Sequence, residues 1–180
     1  QMPSGARPDR VMPFEPQPHL FQIYQEHIDW GRILGITTVG ELNQAIQDRH
    51  VDEVIRTVEA LHDKKLARIA AQVAARKPRP KLVLVAGPSS AGKTTFSKRL
   101  VTHLRVNGLR PRLVSTDDYF VGDERNPRDA EGNLDYEHIH AMDLERLNND
   151  LLALMAGQAV HLPRFDFKVR RSFDREEATR

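Results

Sequence analysis

Apolar residues recur every three or four positions in several segments, the pattern of helices that bury one face. The longest segment, from about Asp52 to Ala75, keeps this spacing for about six turns and predicts one long helix. Leu20–Trp30 predicts a short helix or an irregular hydrophobic segment. Thr38 and Glu41 match a capping box, which predicts a further helix through about Ile46.

Two shorter runs, Lys81–Ala86 and Pro111–Ser115, are largely apolar and partly β-branched, which predicts buried strands. The residues between them have helical spacing and predict a helix with one apolar stripe: Phe96, Leu100, Val101 and Leu104. This β-α-β order predicts a parallel pair with a right-handed crossover. Beyond it, Asp143 caps a predicted helix that ends at Gly157, and Ala159–Leu162 is a final β-like run.

These segments predict an α/β fold with a parallel sheet flanked by helices, preceded by a small helical segment. The predicted domains are a helical N-terminal connector over residues 1–76, a basic linker over 77–81 and an α/β domain over 82–180. Residues 1–18 are rich in proline and predict an extended lead-in. A loop at the surface is expected over residues 122–133, which are rich in Gly, Asp, Asn and Pro.

Composition removes several classes of protein from consideration. Apolar residues make up 39% and charged residues 29% of the 180-residue chain, values of a globular rather than a disordered protein. No apolar run approaches the roughly 18 residues of a membrane span, and no signal segment opens the chain, so we expect a cytoplasmic protein. The absence of cysteine excludes disulfides and thiolate chemistry. A net charge of +2 gives nucleic-acid binding no support.

The turn after the first predicted strand reads GPSSAGKT, from Gly87 to Thr94, and fits the phosphate-binding P-loop pattern. The two glycines of such a loop let backbone N–H groups turn toward phosphate oxygens, and the helix N-terminus adds a partial positive charge. Lys93 would reach the β- and γ-phosphates, the Thr94 hydroxyl would bind Mg²⁺, and Thr95 would add a hydroxyl at the α-phosphate. The alternative is a glycine turn that only joins a strand to a helix. Expected contacts to ATP come from Gly87, Ser89, Ser90, Ala91, Gly92, Lys93, Thr94 and Thr95.

Three later segments complete a pattern: Ser115–Phe120 (STDDYF), Asp135–Asp143 (DYEHIHAMD) and Leu162–Phe167 (LPRFDF). With the P-loop, their order and spacing resemble the uridine kinase and phosphoribulokinase family, over about Leu82 to Arg171. The resemblance implies a P-loop kinase that uses ATP and Mg²⁺. It implies that Asp117 is the catalytic aspartate, which accepts the proton of the acceptor hydroxyl or holds Mg²⁺ through water.

The resemblance also implies a set of acceptor contacts. Asp118 is the neighbouring candidate for the role given to Asp117. For either aspartate, the alternative is a purely structural role in a turn or helix cap. The remaining candidates are Tyr119, Glu137, His138, Phe165 and Arg170. Glu137 stands where the family has an aspartate. Phe165 stands where the family has a tyrosine, so the hydroxyl that would make one polar contact to a base is absent. His138 and Arg170 have the alternative of being ordinary solvated residues.

Three functions follow from this pattern. The leading prediction is an ATP-dependent kinase that phosphorylates a hydroxyl of a uridine- or cytidine-like nucleoside. The alternatives are a sugar-phosphate kinase of the phosphoribulokinase type, and a non-catalytic module that senses ATP and binds RNA or protein. For the kinase part we expect a nucleoside or sugar acceptor, no membrane association and no nucleic-acid partner.

The chain is expected to be a fragment, because it opens on Gln1 and only 87 residues follow Lys93. Family kinases continue with further strands and an arginine-bearing lid, so we expect nucleotide binding with weak or absent transfer. The N-terminal third more loosely resembles the connector of bacterial fusions that join a TGS and threonyl-tRNA-synthetase-like region to a uridine-kinase-like domain.

Overall fold

The computed structural model describes residues 3–4, 7–11 and 16–179. The proline-rich lead-in predicted over residues 1–18 lies partly outside them. The chain divides into two compact units, an N-terminal unit of Gln1–Lys65 and a C-terminal unit of Leu66–Arg180. Among the described helices, none has the length and hydropathy that crossing a membrane requires.

The N-terminal unit contains a short antiparallel strand pair and the predicted helices. Strand β1 (Pro3–Ser4) pairs with β2 (Arg7–Val11), and helices α1 (Pro18–Leu34) and α2 (Val39–Gln47) follow. The capping box is confirmed, because the Glu41 N–H donates to Thr38 Oγ1 at 3.2 Å and the Thr38 N–H donates to the Glu41 carboxylate at 2.8 Å. Helix α3 (Val51–Ala75) then begins, close to the bounds that its apolar spacing predicts.

The later part of α3 belongs to the C-terminal unit, where it packs on α4 (Lys93–Val106). Leu66 and Ala70 of α3 are fully buried against Leu100 and Leu104 of α4. Partly buried apolar side chains surround these four residues, and they are Ile69, Val73, Phe96 and Leu109. The boundary between the compact units therefore falls inside α3, whereas the domain boundary predicted from the sequence falls at residue 76.

The predicted parallel sheet is not formed in the described part of the chain. Lys81–Ala86 and Pro111–Ser115 pair with no strand, and Leu84 is 81% exposed. The apolar pattern anticipates burial, but a strand exists only where a neighbour accepts its backbone hydrogen bonds. In the C-terminal unit the strand pair is β3 (Pro163–Asp166) with β4 (Arg171–Asp174), antiparallel and in register from Pro163–Asp174 to Asp166–Arg171.

Two short 3₁₀ turns and helix α5 complete the C-terminal unit. The turns are Thr116–Tyr119, which we call the acidic turn, and Ile139–Ala141; α5 spans Leu144–Met155. Asp143 caps α5 as predicted, accepting from the Arg146 N–H at 3.1 Å. The Asp143 N–H donates to the Tyr119 carbonyl at 2.8 Å, which fixes the acidic turn against the start of α5.

The contact between α3 and α4 gives a test of the core. Leu66→Ala should lower the free energy of unfolding by about 2–5 kcal/mol, because it removes a fully buried side chain and leaves a cavity. Ile55→Ala, on the same helix at a position 50% exposed, is the control and should cost much less. Denaturant unfolding of both variants measures the difference, and equal losses would contradict this account of the core.

Candidate active site

The P-loop segment, Gly87–Thr95, forms a turn whose backbone suits an anion; we call it the phosphate loop. Ser90 (φ 58°) and Gly92 (φ 81°) both have left-handed backbone conformations, on either side of Ala91. Such a turn makes successive N–H groups converge on a concave site for anions. Helix α4 starts directly after Gly92, and no side chain caps it. Its first N–H groups are therefore left to a ligand or to water.

The two glycines of the phosphate loop differ in backbone conformation. Gly92 needs its positive φ, which side chains with a Cβ rarely adopt, although a Cβ there would meet open space. Gly87 has no positive φ, so the expectation that it too adopts a glycine conformation is wrong. A Cβ at Gly87 would lie 3.4 Å from Cγ of the flexible Lys93 side chain, so the space there does not by itself require glycine.

Lys93 lies across the phosphate loop. Its Nζ donates to the Gly87 carbonyl at 2.8 Å and to the Pro88 carbonyl at 2.9 Å. An ammonium group has three donors and a flexible stem, so Lys93 can exchange these carbonyls for phosphate oxygens without any change in the loop. The positive charge is thus held beside the uncapped helix start, where a phosphate chain would lie.

The two aspartates of the acidic turn have different surroundings. Asp118 Oδ2 accepts from Nη2 of Arg175 at 2.8 Å, and Asp118 Oδ1 accepts from the Phe165 N–H at 3.4 Å. Asp117 is exposed, and the described residues give its carboxylate no hydrogen bond or ion pair. Asp118 therefore joins the acidic turn to the β3–β4 hairpin, while the oxygens of Asp117 are free to accept a proton.

Tyr119, predicted from the resemblance to contact the acceptor, is buried in this structure. Its side chain is 1% exposed, and its hydroxyl donates to Asp150 of α5 at 3.0 Å. Burial, together with the hydrogen bond to the Asp150 carboxylate, raises the pKa of the Tyr119 hydroxyl. The structure thus places Tyr119 where it positions the acidic turn and out of a ligand's reach.

An aromatic cluster forms where the acidic turn meets the hairpin, and it contains Phe120, Tyr136, Phe165 and Phe167. The Phe165 and Phe167 rings meet edge to face with centroids 4.9 Å apart, and Phe120 lies 5.8–5.9 Å from the other three. Phe165, the predicted base contact, is only 5% exposed, whereas Phe167 is 59% exposed. The ring available to a planar ligand is therefore that of Phe167, two residues from the predicted one.

Asp123 links two residues of this region that the motif alone does not connect. Its carboxylate accepts from the Tyr136 hydroxyl at 2.6 Å and from Arg170 Nη1 at 3.4 Å. The hydrogen bond from Tyr136, followed by the contribution of Arg170, holds the pKa of Asp123 below its ordinary value, and the same bond raises the pKa of Tyr136. Arg170, predicted to contact the acceptor, is thus already paired.

Glu137 and His138 lie on the exposed surface beside the second 3₁₀ turn. The Glu137 N–H donates to Asp135 at 3.0 Å, while its carboxylate has no partner among the described residues. His138 Nδ1 accepts from the His140 N–H at 3.2 Å, so one ring nitrogen caps the turn and Nε2 remains. Of the two, Glu137 keeps the freer polar group for a ligand with hydroxyls.

The structure brings the acidic turn, the aromatic cluster and the Asp123–Arg170 pair together through direct contacts. In the described part, no hydrogen bond, ion pair or ring contact joins them to the phosphate loop. No group of three or more His, Asp or Glu among the described residues is arranged to hold a metal. The donors that remain fit Mg²⁺, which binds one or two protein oxygens beside phosphates and water: the Thr94 hydroxyl and the Asp117 carboxylate.

A loop of this backbone geometry at an uncapped helix start, with an unpaired carboxylate and an exposed aromatic ring downstream, is the arrangement expected of a P-loop phosphate-binding protein. The family model described as "Phosphoribulokinase / Uridine kinase family" matches residues 82–179, more than half of the chain. The chain belongs to this family, which confirms the resemblance of its motifs. Membership implies a P-loop nucleoside-triphosphatase fold.

Curated relatives named uridine kinase agree with this assignment. The chain is 34% identical over 89 residues to the one from Deinococcus deserti, a match that covers 49% of this chain and 42% of the relative. It is 30% identical over 84 residues to the one from Halobacterium salinarum, covering 47% and 36%. For Brevibacillus brevis the identity is 32% over 90 residues, covering 50% and 41%. The chain thus spans less than half the length of these relatives, and no solved structure matches it.

The difference between the two aspartates is testable. Asp118→Ala should lower the free energy of unfolding by about 1–2 kcal/mol, because it removes a charged hydrogen bond to the half-exposed Arg175. Asp117→Ala, the matched control one residue away, should change stability by less than about 0.5 kcal/mol. Urea unfolding measures both variants, and a larger loss for Asp117→Ala would refute these assignments.

Proposed function

We propose that this protein contributes the phosphate-binding and acceptor-binding parts of an ATP- and Mg²⁺-dependent kinase, which phosphorylates a hydroxyl of a uridine- or cytidine-like nucleoside. The observation that carries the proposal is the unpaired, exposed carboxylate of Asp117, next to a carboxylate of the same turn that is fully engaged. A structural cap would have its carboxylate hydrogen-bonded, as Asp118 has. The unpaired carboxylate of Asp117 suits a general base better.

The phosphate loop would hold the triphosphate of ATP. Uncapped N–H groups at the start of α4 would donate to phosphate oxygens, and Lys93 would leave the Gly87 and Pro88 carbonyls to bind the β- and γ-phosphates. Thr94, together with Asp117 through water, would hold Mg²⁺. When bound, the ion offsets the negative charge on the phosphate oxygens.

Asp117 would carry the proton transfer. One oxygen of its carboxylate would accept the hydroxyl proton of the acceptor while the acceptor oxygen forms its bond to the γ-phosphorus. The bond from that phosphorus to the β–γ bridging oxygen breaks, so ADP leaves and Asp117 holds the proton until water takes it. Asp118 and Tyr119 would act only by fixing the turn that presents Asp117.

The surface near the acidic turn fits a nucleoside better than a sugar phosphate. Phe167 presents an exposed ring for stacking against a base, and Glu137 has free oxygens for sugar hydroxyls. Arg170 is already paired with Asp123, which makes this cation less available to the phosphate of a sugar phosphate. The printed names of the curated relatives favour the same choice.

Two finer features of the architecture belong to this proposal. We infer that Lys81–Ala86 and Pro111–Ser115 pair as parallel strands, since the exposed Leu84 and Leu113 would then be covered. We also infer that the N-terminal unit is a connector from a TGS and threonyl-tRNA-synthetase-like region.

Lys93→Ala should weaken MgATP binding by a few kcal/mol, because charge-assisted hydrogen bonds contribute about 1.5–3 kcal/mol each. Lys98→Ala removes the same charge from an exposed position of α4 and is the matched control. Calorimetric titration with MgATP gives both affinities. Equal affinities of the two variants would count against the phosphate loop as the nucleotide site.

Transfer of label from γ-labelled ATP tests the function itself. The complete reading frame should phosphorylate uridine or cytidine in a panel of nucleosides and sugar phosphates. Asp117→Asn should lose at least about 100-fold in turnover, the contribution typical of a general base, and keep its affinity for ATP. Labelling of ribulose 5-phosphate alone would show that the acceptor is a sugar phosphate and not a nucleoside. No transfer to any acceptor despite intact ATP binding would exclude kinase activity.

A further inference from the structure

Charge is strongly segregated along this chain. Residues 64–116 contain 13 of its 27 Lys and Arg residues and no Asp or Glu. The other residues carry all 25 carboxylates, so the net charge of +2 conceals a strongly basic segment. The phosphate loop uses one of these cations, Lys93, while Lys65 pairs with Glu26 and Lys81 donates to the Met155 carbonyl.

Three of these cations meet in a cleft at the carboxyl end of α4, which we call the arginine cleft. Its volume is about 510 Å³, and its lining residues are Arg105, Gly108, Leu109, Arg110, Pro111 and Arg112. No carboxylate lines it. Helix α4 has 14 residues, so at 1.5 Å per residue its two ends lie about 20 Å apart. The arginine cleft is therefore distinct from the phosphate loop at the other end of the helix.

Helix capping explains only one of the three arginines. Arg105 lies in the last turn of α4, where a cation interacts favourably with the negative end of the helix dipole. Arg110 and Arg112 lie beyond the end of α4 and still line the same cleft. Within the described part, no hydrogen bond or ion pair engages the side chain of Arg105 or of Arg110. Like charges that line one cleft repel one another, and a bound anion would offset that repulsion.

We propose that the arginine cleft binds a small anion that carries two or more phosphate groups. Guanidinium groups form paired hydrogen bonds with phosphate oxygens, and three of them match a polyphosphate better than a single charge. The volume lies within the range of about 300–1,000 Å³ that is usual for small-molecule sites. No aromatic side chain lines the cleft for the stacking that single-stranded nucleic acid uses, so phosphates rather than bases are recognised.

Calorimetric titration with inorganic tripolyphosphate tests the site. The Lys93→Ala variant removes the phosphate loop's contribution and should retain one binding site. In that background, Arg110→Gln with Arg112→Gln should weaken tripolyphosphate binding at least tenfold. Arg56→Gln, an exposed arginine of α3 outside the cleft, removes one charge and should change the affinity less than twofold. ATP in place of tripolyphosphate shows whether a nucleoside adds affinity to that of the phosphates.

Three results would overturn the proposal. These are no tripolyphosphate binding in the Lys93→Ala background, equal weakening by Arg56→Gln, and tighter binding of oligouridylate than of tripolyphosphate through the same arginines. Thermal unfolding midpoints of all variants verify their folding. If the double variant unfolds, Arg105→Gln replaces it and should weaken tripolyphosphate binding at least threefold. Because none of these readouts uses phosphate transfer, they are independent of the kinase proposal.

Discussion

The carboxylate of Asp118 is the interaction on which the candidate site depends. It accepts from Arg175 and from the Phe165 backbone, so one side chain ties the acidic turn to the β3–β4 hairpin. Tyr119 fixes the same turn from the other side, through its hydrogen bond to Asp150 of α5. With Asp118 and Tyr119 both engaged, the turn is held in place, while the Asp117 carboxylate has no partner among the described residues. The chemistry proposed for Asp117 thus rests on a neighbour that touches no substrate.

The helices of this chain follow from local signals, and the sheet does not. A capping box at Thr38 and a cap at Asp143 act over three residues, so the sequence predicts the starts of α2 and α5 closely. A strand needs partners distant in sequence, and the apolar run at Lys81–Ala86 finds none here. Its composition predicts burial, but which segment covers it depends on contacts that no local pattern encodes.

The motifs do not predict the orientation of the side chains in the candidate site. The LPRFDF segment contributes two rings to the aromatic cluster, but β3 buries Phe165 and ends at Asp166, and the next ring, Phe167, lies exposed just beyond the strand. Residues 165 and 167 lie on the same face of a regular strand, so alternation alone predicts the same burial for both rings, and only the end of β3 at Asp166 separates them. No motif indicates a role for Asp123, because its partner Arg170 is distant in sequence.

The central claim is that nucleotide and acceptor bind to separate structural elements, the phosphate loop and the surface of the acidic turn with its aromatic cluster. Amide NMR spectra recorded during separate titrations with MgATP and with uridine test this most directly. The account predicts that MgATP shifts the amides of residues 87–95 and that uridine shifts those of Glu137, Phe167 and their neighbours. Uridine shifts confined to the phosphate loop, or none around the acidic turn at saturating concentration, would contradict it.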